Sequence, residues 1–400
     1  MASNIAYYSA ILKENYAPAI ADQLYKGTPF LAQLEKSSEH VDIGGRYFYV
    51  PLEIGFNEGI GSMGEWDTVP NAGNPNYTAA TYFSWQQVGV IMVSQRAIKG
   101  SQQEALSYLP ILEANLKSTV SNIKLNVNRQ LFGNGQGALA YCTNMAAAST
   151  TIPVTAIDGS GSSTTHLRVN MVIDIVNAST GAVLASGLSI VQVNPNASIV
   201  VSGSGVQTTT SHIIVRTGSF NKEIDGTRKI IAATGVVGNV DPTQPGNEKW
   251  VANVIAVNGN VSMPAIQQGF DAVELSGGKV DYAIGSPGVL RAMAAYLESQ
   301  KRAFVEGSNI ELNGGFKALN WNGLPVAKDR DCPVGTLYLL EKEAIELGEI
   351  GPPEWMEDEK GNALFPVATQ TAWQSKWVWD IQLLTIHRNH LAALTGITEA

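Results

Sequence analysis

Charged side chains are scarce in this sequence of 400 residues, where Asp, Glu, Lys and Arg together make up 15%. A typical soluble domain has about a quarter of such residues. Hydrophobic residues make up 44%, and there are 39 glycines. A chain with so little charge has few groups that keep it soluble as a monomer. Burial of its surface against copies of itself is one way to compensate for the missing charge.

Positive charge is in short supply as well. The 26 Lys and Arg residues face 35 Asp and Glu residues, which gives a formal net charge of −9. This charge balance argues against a protein that reads nucleic acid with a broad basic face. We also find no run that resembles a signal peptide or a membrane span, so we expect no membrane partner.

Cysteine is nearly absent. Cys142 and Cys332 lie far apart in the sequence and have no metal-ligand spacing, which fits a reducing cytosol. A thiol role for Cys142 would need a histidine close to it in space.

The strongest helical signal runs from Pro110 to Phe132. Apolar residues recur at spacings of three and four, which places one apolar stripe on a helix. The stripe consists of Leu109, Leu112, Leu116, Val120, Ile123, Val127 and Leu131. Pro110 predicts a kink after a short first helix, and the glycines from Gly133 to Gly137 predict the end. At 1.5 Å per residue the helix is roughly 35 Å long, and we interpret it as the spine of the fold.

Residues 55–78 form an unusually long connection between two strand-like segments, 47–50 and 83–93. A loop of ~24 residues is rare in compact domains, where most loops have ~4–6. It still carries large apolar residues, namely Phe56, Ile60, Met63, Trp66 and Val69. We interpret it as the tip of a projecting two-stranded arm that packs on another subunit. The alternatives are a disordered loop and an active-site lid.

Three other regions have distinct patterns. Residues 5–35 predict two helical pieces, either packed together or reaching a neighbour as an arm. Residues 149–216 contain five short β-branched runs separated by turn residues, which predict an inserted small barrel or sandwich. From residue 263 onward, helices at 263–275 and 288–304 and several strands predict an α+β unit, with a short helix at 341–347.

None of the candidate ligand-binding motifs is complete. The glycines from Gly133 to Gly137 follow a helix, whereas a phosphate loop opens one. His387 and His390 lie three residues apart in a predicted strand or at its end, so they need not share a face, and no carboxylate cluster completes a metal site. Two carboxylates such as Asp329 and Asp331 can hold a metal ion, but we interpret them as part of an ordinary turn. We expect no metal and no cofactor.

The catalytic candidates are equally incomplete. Ser219 and Lys222 have the Ser-x-x-Lys spacing of some acyl enzymes without the companion motifs. No nucleophile, base and oxyanion site can be assembled from the sequence. We therefore predict that the protein is not an enzyme; loss of an activity on replacing His387 would contradict this.

The order of these elements resembles the major capsid proteins of tailed bacteriophages, which have the HK97-like fold. The similar stretches are Thr28–Leu31, Gly44-Gly45, Val50–Leu52, Leu131–Gly135, Asp281–Pro287, Leu290, Asn322–Val326 and Arg388–His390. The resemblance implies an α+β fold with an N-terminal arm, an extended β-hairpin loop, a long spine helix and an axial α+β domain. The all-β segment is an addition to that minimal fold.

The resemblance divides the chain into seven parts. They are an N-terminal arm (1–36), an extended loop (37–98), the spine helix with the start of a peripheral domain (99–148), an inserted β-domain (149–217), peripheral strands and a connector (218–262), an axial domain (263–375) and a C-terminal return strand (376–400).

The resemblance also implies a function. Pentamers and hexamers of the chain would build an icosahedral shell around phage double-stranded DNA, with contacts to a portal and to separate scaffolding or decoration proteins. The shell would assemble in the host bacterial cytoplasm and become part of the virion. The expected subunit interface is the loop tip, with Phe56, Met63, Trp66 and Val69.

Two departures from the family pattern carry further expectations. We expect no scaffold fused ahead of Met1, because no long charged helical segment precedes it. Some related shells join a loop lysine covalently to an asparagine, but residues 37–98 contain no lysine. The resemblance therefore implies a non-covalent shell.

Two other functions remain open. An encapsulin-type compartment shares the fold but holds protein cargo. A β-rich surface-binding protein or adhesin belongs to a different class and would require a secretion route.

Overall fold

The computed structural model describes residues 27–34, 36–40, 46–66, 68–96, 111–157, 163–301, 319–321, 323–357 and 363–399. The predicted helical pieces before residue 27, the predicted kink at Pro110 and the lysine-free residues 41–45 lie outside these ranges.

Helices and strands are both present throughout the described chain, which is a mixed α+β structure. The helices are α1 (Ile111–Leu131), α2 (Thr227–Ile230), α3 (Met263–Leu275) and α4 (Pro287–Lys301), with 3₁₀ turns at Lys342–Ala344 and Arg388–His390. The strands of the first half are β1 (Lys36–Ser37), β2 (Tyr47–Gly55), β3 (Asn76–Phe83), β4 (Trp85–Ser94), β5 (Ala138–Cys142), β6 (Thr151–Thr155), β7 (Val172–Asn177), β8 (Val183–Asn194), β9 (Ser198–Val201) and β10 (His212–Arg216). Those of the second half are β11 (Asn253–Gly259), β12 (Tyr282–Gly285), β13 (Leu319–Trp321), β14 (Leu324–Lys328), β15 (Leu337–Leu340), β16 (Ile345–Glu349), β17 (Glu354–Trp355), β18 (Phe365–Pro366), β19 (Ala372–Thr385) and β20 (Ala392–Ile397).

Among the described residues the strands form two open sheets, a closed barrel and a hairpin. One sheet has the order β1-β16-β19-β17, with β4 and β18 also paired to β19. The other has the order β11-β20-β15-β12-β14-β13, and the barrel is β10-β5-β6-β9-β8-β7. The hairpin is β2-β3.

The helix α1 confirms the predicted long helix over Ile111–Leu131. Val127 and Leu131 on the predicted stripe are fully buried. Strand β4 crosses the helix at Gly89, where an added Cβ would lie 2.4 Å from Cδ1 of Ile123. Glycine is therefore the residue that lets strand and helix approach so closely.

An aromatic cluster joins three distant parts of the chain at the end of α1. The ring of Phe30 lies 5.0 Å from that of Phe132 and 6.4 Å from that of Tyr282, measured between centroids. All three side chains are buried in the same core. The segment around Phe30 is thereby fixed to the spine and to the sheet that contains β12.

The barrel has its own hydrophobic core, which includes Ile152, Ile175, Ile190 and Ile199. The five short runs predicted between residues 149 and 216 are all strands of it. Its remaining strand, β5, precedes that segment, and the sequence analysis placed it with the spine. The run Ala138–Cys142 contains two alanines, which are poor strand formers, so only pairing with β10 and β6 reveals it.

A short helix predicted at Glu341–Leu347 was wrong. The structure has a 3₁₀ turn at Lys342–Ala344 followed by strand β16. Ile345 and Leu347 alternate along the strand and pair with Thr385 and Leu383 of β19. Sheet pairing decides the conformation here, because a segment this short forms no stable helix by itself.

Strand β19 also differs from the sequence expectation. It begins at Ala372, so the boundary predicted between residues 375 and 376 falls inside it. The polar run Gln374–Lys376 carries no strand signal. Pairing with β4 over ten residue pairs, from Ala372–Ser94 to Ile381–Trp85, extends the strand through it.

Candidate assembly surface

The hairpin β2-β3 is the base of the predicted arm. Side chains of β2 alternate, and those of Phe48, Val50, Leu52 and Ile54 are buried. Its partner is Asn76–Phe83, with Tyr47 opposite Phe83. The sequence analysis expected 83–93 as the second strand of the arm, which was wrong: the chain breaks at Ser84, and β4 pairs with β19 instead.

The base of the hairpin is fixed to its own chain. The amide of Thr81 donates to the carbonyl of Gly238 at 2.8 Å, and the side chain of Asn239 donates to Oγ1 of Thr81 at 2.6 Å. Gly238 has a φ of +58°, and a Cβ there would lie 2.7 Å from that of Ala80. These contacts set the direction of the arm as it leaves the body of the protein.

The tip of the arm is exposed. The exposed fraction is 92% for Trp66, 73% for Phe56, 72% for Val69 and 44% for Met63. Phe56 does contact its own chain, because Nζ of Lys249 lies 3.7 Å from the centroid of its ring. All four predicted interface residues thus lie in the single loop between β2 and β3.

Exposure of so many apolar side chains in one loop is unfavourable in water. A buried Trp removes ~150–250 Å² from solvent, which at ~25 cal/mol per Å² corresponds to roughly 4–6 kcal/mol before entropic costs. Large apolar side chains exposed together in one loop are typical of interaction sites. The tip is therefore a candidate assembly surface.

A second exposed apolar strip lies on β4, and the sequence analysis missed it. Val88 and Val90 are 50% and 54% exposed, while Gln87, Ile91 and Val93 on the opposite face are buried. The run is apolar on both faces, a pattern that usually indicates a strand buried on both sides. That pattern was the signal in the sequence that could have pointed to this strip.

The candidate metal ligands have structural partners. The side chain of Asn128 on α1 donates to Oδ2 of both Asp329 and Asp331 at 3.0 Å, and its own oxygen accepts from the amide of Leu31 at 3.3 Å. Burial raises the pKa of Asp329. The two aspartates thus join the spine to the loop after β14.

The two histidines do come together, although the sequence did not require it. The rings of His387 and His390 stack with centroids 4.7 Å apart, and Nδ1 of His390 lies 2.5 Å from a carboxylate oxygen of Glu341. Burial lowers the pKa of His387, and the neighbouring His390 lowers it further. In the described part of the chain, no group of three or more His, Cys, Asp or Glu side chains is arranged to hold a metal ion.

The remaining chemical candidates also have structural explanations. The glycine segment ends α1, where the amide of Gly133 donates to the carbonyl of Gln130, which confirms a helix stop. Ser219 and Lys222 form a turn in which the Lys222 amide donates to the Ser219 carbonyl at 3.1 Å. Burial raises the pKa of Cys142 to about 12, so its thiol stays protonated and unreactive.

No helix within the described residues is long and apolar enough to cross a membrane.

Comparison with known proteins finds similarity in structure but none in sequence. No protein-family profile and no curated protein sequence matches the chain. Its structure is similar to the capsid asymmetric unit of cyanophage A-1(L), with a TM-score of 0.62, 11% identity, and coverage of 97% of this chain and 98% of that one. It is similar to the capsid of a native GTA particle, with a TM-score of 0.52, 9% identity and coverage of 98% of both chains. It is also similar to the SrpI encapsulin of Synechococcus elongatus, with a TM-score of 0.50, 11% identity, and coverage of 99% and 96%. The chain therefore has the fold of these shell proteins along nearly its whole length.

Proposed function

We propose that this protein is the major capsid protein of a tailed bacteriophage and assembles as pentamers and hexamers into a shell around double-stranded DNA. The observation that carries the proposal is the exposed arm tip on a fold shared end to end with a cyanophage capsid subunit. In an isolated chain Trp66 is exposed to water, whereas in a shell of many copies it would be buried against a neighbouring copy.

The parts of the chain take roles in this proposal. Residues 37–98 are the extended loop that lies across an adjacent subunit, and α1 is the spine. The sheet containing β12 and the helices α3 and α4 form the axial unit around which copies meet. The closed barrel is an insertion displayed on the shell. A portal and separate scaffolding or decoration proteins complete the particle in the host cytoplasm.

The negative charge of the chain is compatible with DNA held by confinement. A net charge of −9 offers no broad basic face for phosphate binding, and enclosure needs none. The protein acts as a structural component and has no catalytic role in this proposal.

Electron microscopy of the purified protein tests the proposal. Closed shells of uniform diameter are the expected result. A protein that remains in small soluble particles under all assembly conditions, including co-expression with the proteins encoded beside it, contradicts the proposal.

An encapsulin-type compartment is the second candidate, because the SrpI encapsulin aligns with nearly the whole chain. The content of purified particles separates the two functions. Nuclease-protected double-stranded DNA supports the capsid, and a single co-purifying enzyme with no protected DNA supports the compartment.

A further inference from the structure

Two segments of the chain cross directly between the two open sheets. Residues 341–344 connect β15 to β16, and residues 386–391 connect β19 to β20. The two segments lie side by side, because the amide of Ile386 donates to the carbonyl of Ala344 at 2.9 Å. We call this pair of segments the double crossing. Contacts within it help to set how the two sheets meet.

The histidines of the second segment face acidic residues of the first. Nδ1 of His390 lies 2.5 Å from a carboxylate oxygen of Glu341, a contact that becomes an ion pair when the imidazole is protonated. Glu341 and Glu343 both act electrostatically on His387. The rings of the two histidines stack with their centroids 4.7 Å apart. Four titratable groups therefore meet where the chain passes between the sheets.

The end of α3 holds the histidine turn in place. A Cβ added at Gly278 would lie 2.6 Å from Cγ of His390. The side chain of Asn389 donates to the carbonyl of Ser276 at 3.2 Å, and its backbone carbonyl accepts from the side chain of Asn253 at 2.7 Å. The ring of His390 therefore has little room to move away when its charge changes.

The other charged side chains of these segments point to other partners. Arg388 donates to four carbonyls of residues 230–250. Nζ of Lys342 lies 5.9 Å from the centroid of the Tyr282 ring. At the end of α3 the charged residues Glu274 and Lys279 are exposed. Within the described chain, the two glutamates of the first segment are thus the acidic partners of the histidine pair.

The pair takes a second proton less readily than the first. Like charges this close repel, so coupled groups take up their protons in separate steps. Burial lowers the pKa of His387 and the neighbouring His390 lowers it further, while the two glutamates only partly oppose these effects. Part of His387 remains exposed, so solvent can supply the second proton directly.

We propose that the double crossing is a proton-sensitive joint between the two sheets. One proton, on His390 against Glu341, ties the two segments together. A second proton, on His387, repels the first and loosens them. This inference does not depend on shell formation.

The direction of the effect follows from linkage between proton binding and folding. Because the pKa of His387 is lowered in the folded chain, the unfolded chain binds a proton there more readily. The stability of the joint is therefore fully present above the unfolded pKa of about 6.5 and is lost as the pH falls through the folded value.

An NMR titration of the histidine rings in the unassembled protein tests the coupling. The sequence has five histidines, so the signals can be assigned by substitution. In His390→Gln we expect the titration midpoint of His387 to rise, because the neighbouring charge is gone. His212→Gln, on β10 of the barrel, is the control and should leave that midpoint unchanged. A midpoint of His387 that is the same with and without His390 would overturn the proposal.

The wild-type protein gives a second criterion in case His390→Gln does not fold. The ring signals of His387 and His390 should each respond to both protonation steps, as coupled groups do. Two independent curves with one step each would overturn the proposal.

Amide hydrogen exchange tests whether the second proton loosens the double crossing. After correction for the intrinsic effect of pH on exchange, protection of residues 386–391 should fall between about pH 7.5 and about pH 5.5. In His387→Gln this loss should be absent, and residues 212–216 of the barrel are the internal reference. An equal loss of protection in the variant and the wild type, or no loss in the wild type, would overturn the proposal.

Discussion

The barrel and the arm tip both carry large apolar residues, but the barrel buries them and the tip exposes them. The barrel closes on itself and buries Ile152, Ile175, Ile190 and Ile199 in a core of its own. The tip also carries large apolar residues but leaves Trp66 almost fully in water. Apolar residues alone therefore do not separate the two regions, and only the structure tells which of them is buried within the chain and which is exposed.

The largest expected effect concerns the barrel. Ile190→Ala leaves a cavity in a fully buried site and should lower the free energy of unfolding by about 2–5 kcal/mol. Denaturant unfolding of the unassembled protein measures it. A change below about 0.5 kcal/mol would mean that the barrel does not depend on its own core, and the contrast with the tip would disappear.

The next effect concerns the tip. Trp66→Ala should leave the unfolding free energy within about 0.5 kcal/mol, because the side chain contacts little of its own chain. It should weaken assembly by about 2 kcal/mol, as central aromatic residues of interfaces do, which raises the concentration needed for assembly roughly 30-fold. Light scattering during assembly measures this.

A matched variant sharpens the result. Val183 on the barrel is also exposed, at 58%, so Val183→Ala controls for the loss of any exposed apolar group. We expect it to change assembly little. If Trp66→Ala lowered the stability of the unassembled chain as much as it weakened assembly, the tip would belong to the core of its own subunit.

A smaller effect concerns the hydrogen bonds that Asp174 accepts within and beside the barrel. Asp174 is buried and accepts from Ser186, Thr217 and the amides of Gly187 and Gly218 at 2.9–3.0 Å. Asp174→Asn should lower stability by about 1–2 kcal/mol, since hydrogen bonds to a charged acceptor are lost. Chemical denaturation at neutral pH measures it, and an unchanged midpoint would contradict the role.

The same carboxylate predicts a pH dependence with a definite sign. Four hydrogen bonds outweigh burial, which alone would raise the pKa of Asp174, and lower it below its ordinary value. The stabilisation is therefore present above the unfolded pKa of about 3.9 and is lost as the pH falls through the folded value. The wild-type protein should lose stability relative to Asp174→Asn below about pH 4.

The last prediction is that no covalent link forms between the chains of a particle. Because residues 37–98 contain no lysine, particles boiled in detergent should release single chains of 42.6 kDa. Mass spectrometry that finds a ladder of joined chains would show a covalent link made without a lysine from this segment.

Sequence periodicity predicted the parts of the fold that are decided locally. The stripe on α1, the helix α3 with the cap that Ser262 gives to the amide of Ala265, and the five later barrel strands all have strong local signals. Strands β5, β16 and the first part of β19 have weak signals, because pairing with distant residues decides them. The second strand of the arm was misplaced for the same reason: the break at Ser84 has no glycine or proline to mark it.

The candidate surface was predicted in part as well. Large apolar residues in a loop without periodicity pointed to Trp66 and its neighbours. The exposed strip at Val88 and Val90 was not found, because a run that is apolar on both faces does not tell which face stays exposed.

The buried side chain of Arg388 holds part of the chain in place by hydrogen bonds that depend little on pH or salt. Its side chain is fully buried and donates to the carbonyls of Ile230, Ala232, Gly235 and Trp250 at 2.9–3.0 Å. Burial lowers its pKa to about 10, so the side chain remains charged at neutral pH. No carboxylate takes part, and the four acceptors cannot titrate. The segment of residues 230–250 should therefore stay bound to Arg388 when changes of salt concentration or pH weaken ion pairs on the surface.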